Sequence, residues 1–247
     1  MNVLVCVKRI PDVGAKILIT DDGRAVQTKN LGFVISPHEE CAVELAVQLT
    51  EKHGGTSTVL TLGVPDSEDQ LRECLARGMT QGILLETGGE EWDPQQTAKA
   101  IAETVKGTPF DLLLFGQESG DGCYGQVAIR VAQELGLPCV SGVKEFSLEG
   151  GKAVAGVEAG SGKETYEVAL PAAFTCKDGM NVPRHPSLRG TMMAKKKKID
   201  VRKPAAAPPR TELVRFRAPP EQNKQVEMLG TGVGAAPKVA EVLLKFR

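Results

Sequence analysis

The segment with the clearest potential for chemistry is rich in glycine: four of the ten residues from 116 to 125 are glycines. An apolar run over 111–115 precedes it and predicts a buried strand. A helical pattern over 127–135 follows it and ends at Gly136. The N–H groups at the start of a helix are free to bind an anion, and glycine lets a phosphate approach the backbone closely. We therefore predict that this loop holds the phosphate of an adenine nucleotide.

The same loop contains a formal G-x-G-x-x-G pattern over 120–125. In a dinucleotide-binding fold this pattern follows the first strand, with an acidic residue about twenty positions later. Here it follows the fourth core strand, so we reject that fold. The competing interpretation is a tight structural turn, which accounts for one or two glycines but not for four together with Gln117 and Ser119. A carboxylate beside a phosphate is unfavourable, so Asp121 is expected to cap the helix or to bond a ribose hydroxyl.

The bulk properties exclude several classes of protein. The chain has 247 residues and a formal net charge of −1, which gives no nucleic-acid signal. Its six cysteines and three histidines are scattered without metal-ligand spacing, so no metal site is expected. No apolar run is long enough to span a bilayer. A strand follows Met1 directly, without a signal or transit peptide, and we expect the cytoplasm of a prokaryote.

Strands alternate with amphipathic helices through the first 140 residues, which predicts a mostly parallel α/β sheet with helices on both faces. Ser36, Pro37 and Glu39 form a capping box that starts one helix. In such folds ligands bind at the carboxyl ends of the strands. Four stretches are expected at that edge: Cys6, Ser36 to Glu39, Val59 and the glycine loop.

After residue 142 the pattern changes to short alternating strands over 143–176, which predict an antiparallel extension. Residues 177–193 are predicted as a loop, in which Leu188 is either part of a linker or an anchor for a partner. The lysine run 195–198 is either a solvated surface or subunit contact, or an RNA site; the lack of interleaved aromatic residues favours the former. Residues 194–247 have no core of their own and are predicted to form an arm that packs on another subunit. The nucleotide-binding domain is then 1–193.

Together these residues resemble the β subunit of electron transfer flavoproteins over nearly the whole chain. The resemblance is carried by the following motifs: Val5-Cys6-Val7-Lys8-Arg9, Ala42-Val43-Glu44, the glycine loop, and Pro183-Arg184 through Leu188 to Met193-Ala194-Lys195-Lys196-Lys197-Lys198-Ile199. The Met-Ala-Lys-Lys-Lys-Lys-Ile end is the most specific of them.

The resemblance implies an electron carrier that pairs with an α subunit holding the redox FAD. Its donors are dehydrogenases such as acyl-CoA dehydrogenases, and its acceptor is a quinone oxidoreductase or another protein. The β subunit itself binds AMP or, in electron-bifurcating members that oxidise NADH, a second FAD. The implied nucleotide contacts are Cys6, Ser36, Pro37, His38, Glu39, Val59, Gly116, Gln117, Glu118, Ser119, Gly120, Asp121, Gly122, Cys123, Tyr124 and Gly125.

The resemblance also assigns residues that face other proteins. The partner-recognition loop is 181–193, with contacts at Asn181, Pro183, Arg184, Leu188 and Met192. Val13 falls where the β chain approaches the flavin of the α subunit.

Two other functions are compatible with parts of the sequence. A stand-alone ATP-binding enzyme or sensor of similar fold would need a catalytic base or metal ligands at the loop, where only Glu118 and Asp121 are present. An RNA-binding protein would use the lysine run and would bind in a salt-dependent way.

Overall fold

The structure is a computed structural model that describes residues 1–12, 14–220 and 227–246. Val13, predicted to lie near the flavin of the α subunit, falls outside the described residues. The chain forms two compact units, one of residues 1–17 and 28–213 and one of residues 18–27 and 214–247. They are described separately below.

The first unit is built on a nine-stranded sheet in the order β11-β5-β4-β1-β6-β10-β7-β8-β9. All neighbours from β11 to β7 are parallel, and β7, β8 and β9 pair antiparallel. The predicted α/β class, with a mostly parallel sheet and an antiparallel extension, is confirmed. The strands are β1 Asn2–Val7, β2 Ile10–Pro11, β3 Phe33–Val34, β4 Thr56–Gly63, β5 Gln81–Glu86, β6 Leu112–Gly116, β7 Cys139–Glu149, β8 Lys152–Ala159, β9 Gly162–Ala169, β10 Ala172–Cys176 and β11 Ile199–Arg202, with β2 and β3 forming a separate two-stranded sheet.

Helices cover both faces of the parallel strands because side chains of a strand alternate between faces. On β1, Val3 and Val5 point into one buried cluster with α1 and α2, while Leu4 points into a second cluster with α3 and α4. The predicted capping box at Ser36 forms, and Asp93 makes a second one with Gln96. The helices are α1 Pro37–His53, α2 Glu68–Arg77, α3 Pro94–Val105, α4 Val127–Leu135, α5 Leu188–Lys196 and, in the second unit, α6 Ala236–Leu244.

Strand β10 corrects one expectation. The sequence suggested that 172–176 continues the antiparallel extension, but β10 lies in the sheet interior, parallel to both β6 and β7. All five of its residues are buried. A short strand without polar alternation is typical of a parallel strand that is covered on both faces. Its position brings Cys176 beside Gly116 at the end of β6.

The segment predicted as a loop over 177–193 is the second correction. Its last part is helix α5, which Ser187 caps by accepting a hydrogen bond from the N–H of Gly190. After it, β11 pairs with β5 and forms the edge of the sheet. Residues 194–213 therefore belong to the first compact unit. The packing of the C-terminal arm on a second subunit stays a prediction.

The second unit contains a hairpin-like turn and the last helix. Ile19 and Val26 form an antiparallel bridge around the Asp22-Gly23 turn. The carbonyl of Gly23 accepts a hydrogen bond from the N–H of Phe216 at 2.7 Å. Helix α6 lies near the C-terminus, and its Leu243 and Leu244 are exposed.

Candidate functional site

The strand order of the sheet creates a crevice at the carboxyl ends of β1 and β6. From β1 the chain builds outward through β4 and β5 on one side, and then returns to place β6 on the other side. This reversal is the switch point at which open α/β sheets bind ligands. Lys8 follows β1 directly and the glycine loop follows β6, so both flank the crevice. We call this edge the rim.

At the rim, the N-terminus of α1 packs against the end of β6. A Cβ on Gly116 would lie 2.7 Å from Cγ of Glu39 and 3.2 Å from Cβ of His38. A side chain at position 116 would therefore separate β6 from α1. Nδ1 of His38 accepts a hydrogen bond from the N–H of Asp178 at 2.7 Å, which joins α1 to the segment after β10.

Glu39 joins the residues after β1 to the start of α1. One carboxyl oxygen accepts the N–H of Ser36 and the other accepts the N–H of Lys8, each at 2.9 Å. The side chain is 6 % exposed, and burial raises its pKa to about 8, although these hydrogen bonds oppose the shift. Glu39 thus has a structural role: it fixes the residues after β1 against the helix start.

Lys8 forms an ion-pair bridge across the rim. Its Nζ lies 2.7 Å from Oδ2 of Asp121 and 2.8 Å from Oε1 of Glu91. Burial alone would lower the pKa of Lys8, but the two carboxylates outweigh it and leave that pKa raised. Burial would likewise raise the pKa of Asp121, but Lys8 outweighs it, and the pKa of Asp121 is lowered. Lys8 thus offsets part of the charge that made Asp121 unfavourable beside a phosphate, although one ammonium group faces two carboxylates.

The same contacts correct the expectation that Asp121 caps a helix. Its Oδ1 accepts the N–H of the next residue, Gly122, at 2.7 Å. Helix α4 starts after Gln126 and has no side-chain cap. The N–H groups of its first turn are consequently available, as an anion site requires.

The glycine loop itself is tightly turned. Oγ of Ser119 accepts the N–H of Gly122 at 3.3 Å, and the carbonyl of Ser119 accepts the N–H of Cys123 at 3.1 Å. Cys123 and Gly125 have left-handed φ values of 48° and 60°. Alternating left-handed residues turn successive N–H groups inward and form an anion-binding concavity. Glu118 and Tyr124 are exposed.

Gln117 is tied to β10 rather than left free. Its N–H donates to the carbonyl of Cys176 at 2.9 Å, and its side-chain oxygen accepts the hydroxyl of Thr175. The same hydroxyl oxygen accepts the N–H of Gly142 at 2.7 Å. Thr175 therefore connects the start of the loop to the antiparallel extension.

Two of the predicted nucleotide contacts are placed away from the rim surface. Val59 lies in the middle of β4, beside Val5, and is fully buried in the core. Its predicted position at the end of a strand was wrong. Cys6 is at the end of β1 but is 7 % exposed, packs with Leu60 and Phe115, and has a thiol pKa that burial raises. The other predicted contacts lie on α1, at its cap or on the glycine loop.

Sequence reasoning missed Lys8, Glu91 and Thr175 as residues of this site. Lys8 carried a signal, since it is the first residue after the strand that ends at the rim. Glu91 and Thr175 carried none, because only the folded chain brings them to this edge. Within residues 1–12, 14–220 and 227–246, no group of three His, Cys, Asp or Glu side chains is arranged to hold a metal ion.

The predicted partner-binding residues form a second surface on 181–193. Leu188 is 89 % exposed and Met192 is 66 % exposed, and both lie on α5. Asn181 instead bonds inward, donating to the carbonyl of Cys41 at 2.9 Å. Arg184 is also bonded inward, to two glutamates of α1.

Comparison with known proteins decides the family. The electron transfer flavoprotein domain matches residues 25–207. The electron transfer flavoprotein subunit beta of Syntrophomonas wolfei is 36 % identical over 98 % of this chain and 95 % of its own length. The chain belongs to the electron transfer flavoprotein family. The corresponding subunit of Bacillus subtilis is 38 % identical over 81 % of this chain and 78 % of its own length.

A third relative, from Acetobacterium woodii, is the caffeyl-CoA reductase-Etf complex subunit CarD, 32 % identical over 81 % of this chain and 78 % of its own length. These matches confirm the resemblance to β subunits that the sequence motifs indicated. Electron transfer as part of a flavoprotein is thus the function of this chain. Among the residues that the structure describes, no helix is both long and apolar enough to cross a membrane.

Proposed function

We propose that this chain pairs with an α subunit that holds the redox FAD, and that its own rim binds an adenine nucleotide, either AMP or a second FAD. The heterodimer carries electrons from dehydrogenases, such as acyl-CoA dehydrogenases, to a quinone oxidoreductase or another acceptor. With AMP at the rim the chain is a carrier subunit, and with FAD there it takes part in bifurcating NADH oxidation. A prokaryotic cytoplasm is the proposed location, supported by the bacterial origin of the relatives.

The observation that carries the nucleotide proposal is the glycine loop at the switch point. It combines an uncapped nine-residue helix, α4, with left-handed backbone at Cys123 and Gly125, a conformation that occurs in anion-binding loops. Lys8 offsets part of the charge of Asp121 beside it. Free N–H donors of this kind fit the phosphate of AMP or the pyrophosphate of FAD. A flavin bound there supplies the redox chemistry, while the chain's own residues bind and orient the nucleotide.

A nucleotide-release experiment distinguishes the two ligands. The chain is co-expressed with an α subunit, and the purified complex is denatured so that the released nucleotides can be identified by chromatography. One FAD plus one AMP per heterodimer supports a simple carrier, and two FAD support the bifurcating type. A complex with one FAD and no second nucleotide would refute a nucleotide at the rim.

The stand-alone ATP enzyme gains no support from the rim. The one lysine that bridges the loop, Lys8, is engaged by Asp121 and Glu91 rather than directed at an open phosphate site. ATP hydrolysis by the isolated chain would favour that alternative.

The proposed surface for dehydrogenases is the exposed apolar face of 182–193. Val182 is 88 % exposed. Its apolar side chain, like those of Leu188 and Met192, faces water that solvates it poorly. Arg189 and Lys195 lie on the same helix. An apolar anchor near basic residues fits a partner that has an apolar pocket with an acidic edge. Leu188→Ala is expected to raise the KM of a dehydrogenase for the heterodimer.

A further inference from the structure

We propose that Arg184 is a positioning residue: it fixes the segment before α5 to α1 and thereby sets the position of Leu188 for the partner. The resemblance assigned Arg184 a direct contact with the partner, but the structure gives its guanidinium another task. This inference rests on the proposed function of the surface that carries Leu188.

Four of the five N–H donors of the Arg184 guanidinium are engaged within the chain. Nε and Nη2 donate to the two carboxyl oxygens of Glu44, at 2.9 and 3.0 Å. Nη1 and Nη2 donate to the two oxygens of Glu51, at 2.7 and 2.9 Å. The backbone N–H of Arg184 adds a fifth bond, to Glu44 at 3.0 Å. Two bidentate pairs hold a planar guanidinium in one orientation, which a lysine cannot reproduce.

The burial of Glu44 strengthens this attachment. The side chain of Glu44 is 5 % exposed, and that of Arg184 is 34 % exposed. Burial would raise the pKa of Glu44, but the hydrogen bonds from Arg184 outweigh it, so the pKa is lowered and the carboxylate stays charged. Glu51 and Glu44 together raise the pKa of Arg184. A charge-assisted bond at a buried carboxylate is stronger than one between exposed side chains.

The chain between Arg184 and Leu188 is short and stiff. Pro183 precedes this stretch and Pro186 lies within it, and proline fixes φ. Ser187 then caps α5. A displacement at residue 184 is therefore passed on to the start of α5 rather than absorbed by a flexible loop.

Other contacts hold the rest of α5. The segment that leads into its N-terminus is held by Arg184. The guanidinium of Arg72 donates to the carbonyl of Ala194 at 2.6 Å and caps the C-terminal end of the helix. Gly190 packs so closely on α2 that a Cβ there would lie 2.3 Å from the carbonyl oxygen of Ala76. Upstream, Asn181 bonds to α1. Arg184 supplies the ionic attachment between these two points.

Hydrogen exchange on the purified heterodimer tests the positioning directly. Arg184→Ala is expected to raise the exchange of amides over 182–190 about tenfold, equivalent to about 1.4 kcal/mol, without changing the exchange of the strands or the nucleotide content. Arg184→Lys should give an intermediate effect because it keeps the charge but loses the fork. Arg202→Ala is the matched control, since Arg202 pairs with exposed Asp200 on β11. Unchanged exchange over 182–190 in Arg184→Ala would overturn the proposal.

Loss of Arg184 also leaves the carboxylate of Glu44 buried without its partner, which could unfold the chain. The double variant Arg184→Ala/Glu44→Gln removes that charge and is expected to show the same local increase in exchange in a folded heterodimer. If the double variant has wild-type exchange over 182–190, the effect of the single variant came from the unpaired carboxylate, and the proposal is wrong.

A kinetic cycle tests whether the positioning serves the partner. With an acyl-CoA dehydrogenase that reduces the wild-type heterodimer, Arg184→Ala should raise the KM for the heterodimer several-fold and leave kcat unchanged. In Leu188→Ala the further change Arg184→Ala should add little, because the side chain it positions is gone. Additive effects would show that Arg184 acts elsewhere and would overturn the proposal. A Leu188→Ala variant with unchanged KM would instead refute the partner surface itself, and with it the role of Arg184 there.

Discussion

Gly116→Ala is the sharpest test of how the rim is built. The new methyl group would lie 2.7 Å from Cγ of Glu39 and 3.2 Å from its backbone nitrogen. Ordinary contacts of this kind begin at 3.4 Å, so the start of α1 must move by about 0.7 Å. Glu39 cannot yield freely, because its carboxyl group is held by the N–H groups of Ser36 and Lys8.

The magnitude follows from the hydrogen bond between Glu39 and Lys8, because Ser36 belongs to the same helix start and moves with Glu39. A shift of this size away from β1 would lengthen the 2.9 Å bond from Lys8 to about 3.6 Å, beyond the range of an effective N–H···O bond. Overpacking a close contact costs about 1–3 kcal/mol, and a buried carboxyl group that loses a hydrogen bond costs about as much. We expect the free energy of unfolding to fall by about 3 kcal/mol. For a chain of this length that lowers the Tm by about 6–12 °C.

The assay is thermal unfolding of the purified complex followed by circular dichroism, together with the nucleotide content after gel filtration. Gly88→Ala is the matched control, because a Cβ on Gly88 would meet no atom within 4 Å. Its Tm should stay close to that of the wild type. Gly116→Ala should melt earlier and lose nucleotide, since the loop that follows residue 116 is displaced with it.

A Gly116→Ala variant that melts within about 2 °C of Gly88→Ala and keeps its nucleotide would refute this reasoning. Such a result would mean that β6 and α1 can separate without lowering the free energy of unfolding. The contact between them would then not define the rim.

Three further predictions concern the rim and the surface of α5. Lys8→Met leaves Asp121 without its ion pair, so the affinity of the complex for AMP, measured by calorimetry, should fall about tenfold; equal affinity would contradict the bridge. The pKa of Glu39 is about 8 in the folded chain, above its ordinary value of 4.5, so the stabilisation it gives is complete below pH 4.5 and is lost as the pH rises toward 8. Melting curves of Glu39→Gln should lack this decline between pH 5 and 8, and a wild type that gains stability relative to the variant over that interval would contradict the shift. Gly190→Ala should force α5 away from Ala76 and raise the KM of a dehydrogenase for the heterodimer; a wild-type KM would show that α5 tolerates the displacement.

Local patterns were sufficient for most of the fold. The capping box at Ser36 depends on residues three positions apart, so it is visible in the sequence and forms as predicted. Alternation of strands and helices indicated the parallel sheet in the same way. The glycine loop could be placed after a strand and before a helix because both neighbours have strong periodic patterns.

Long-range pairing could not be predicted from such patterns. Ala172–Cys176 is apolar except for Thr175, and a short buried run of this kind does not reveal which strands it will join. Helix α5 was missed for a related reason. Its Gly190 and Thr191 are poor helix formers, and it is stabilised by contacts with α2, by Ser187 and by Arg72.

By itself, then, the sequence determined the fold class, the family and the position of the glycine loop, because each depends on residue types at short fixed spacing. The tertiary structure decided which charges meet at the rim: the bridge from Lys8 to Asp121 joins residues 113 positions apart. It also decided that Val59 is buried in a strand and that Arg184 is bonded to α1. Such contacts arise only when the sheet and its helices pack together, since no local rule relates residues so distant along the chain.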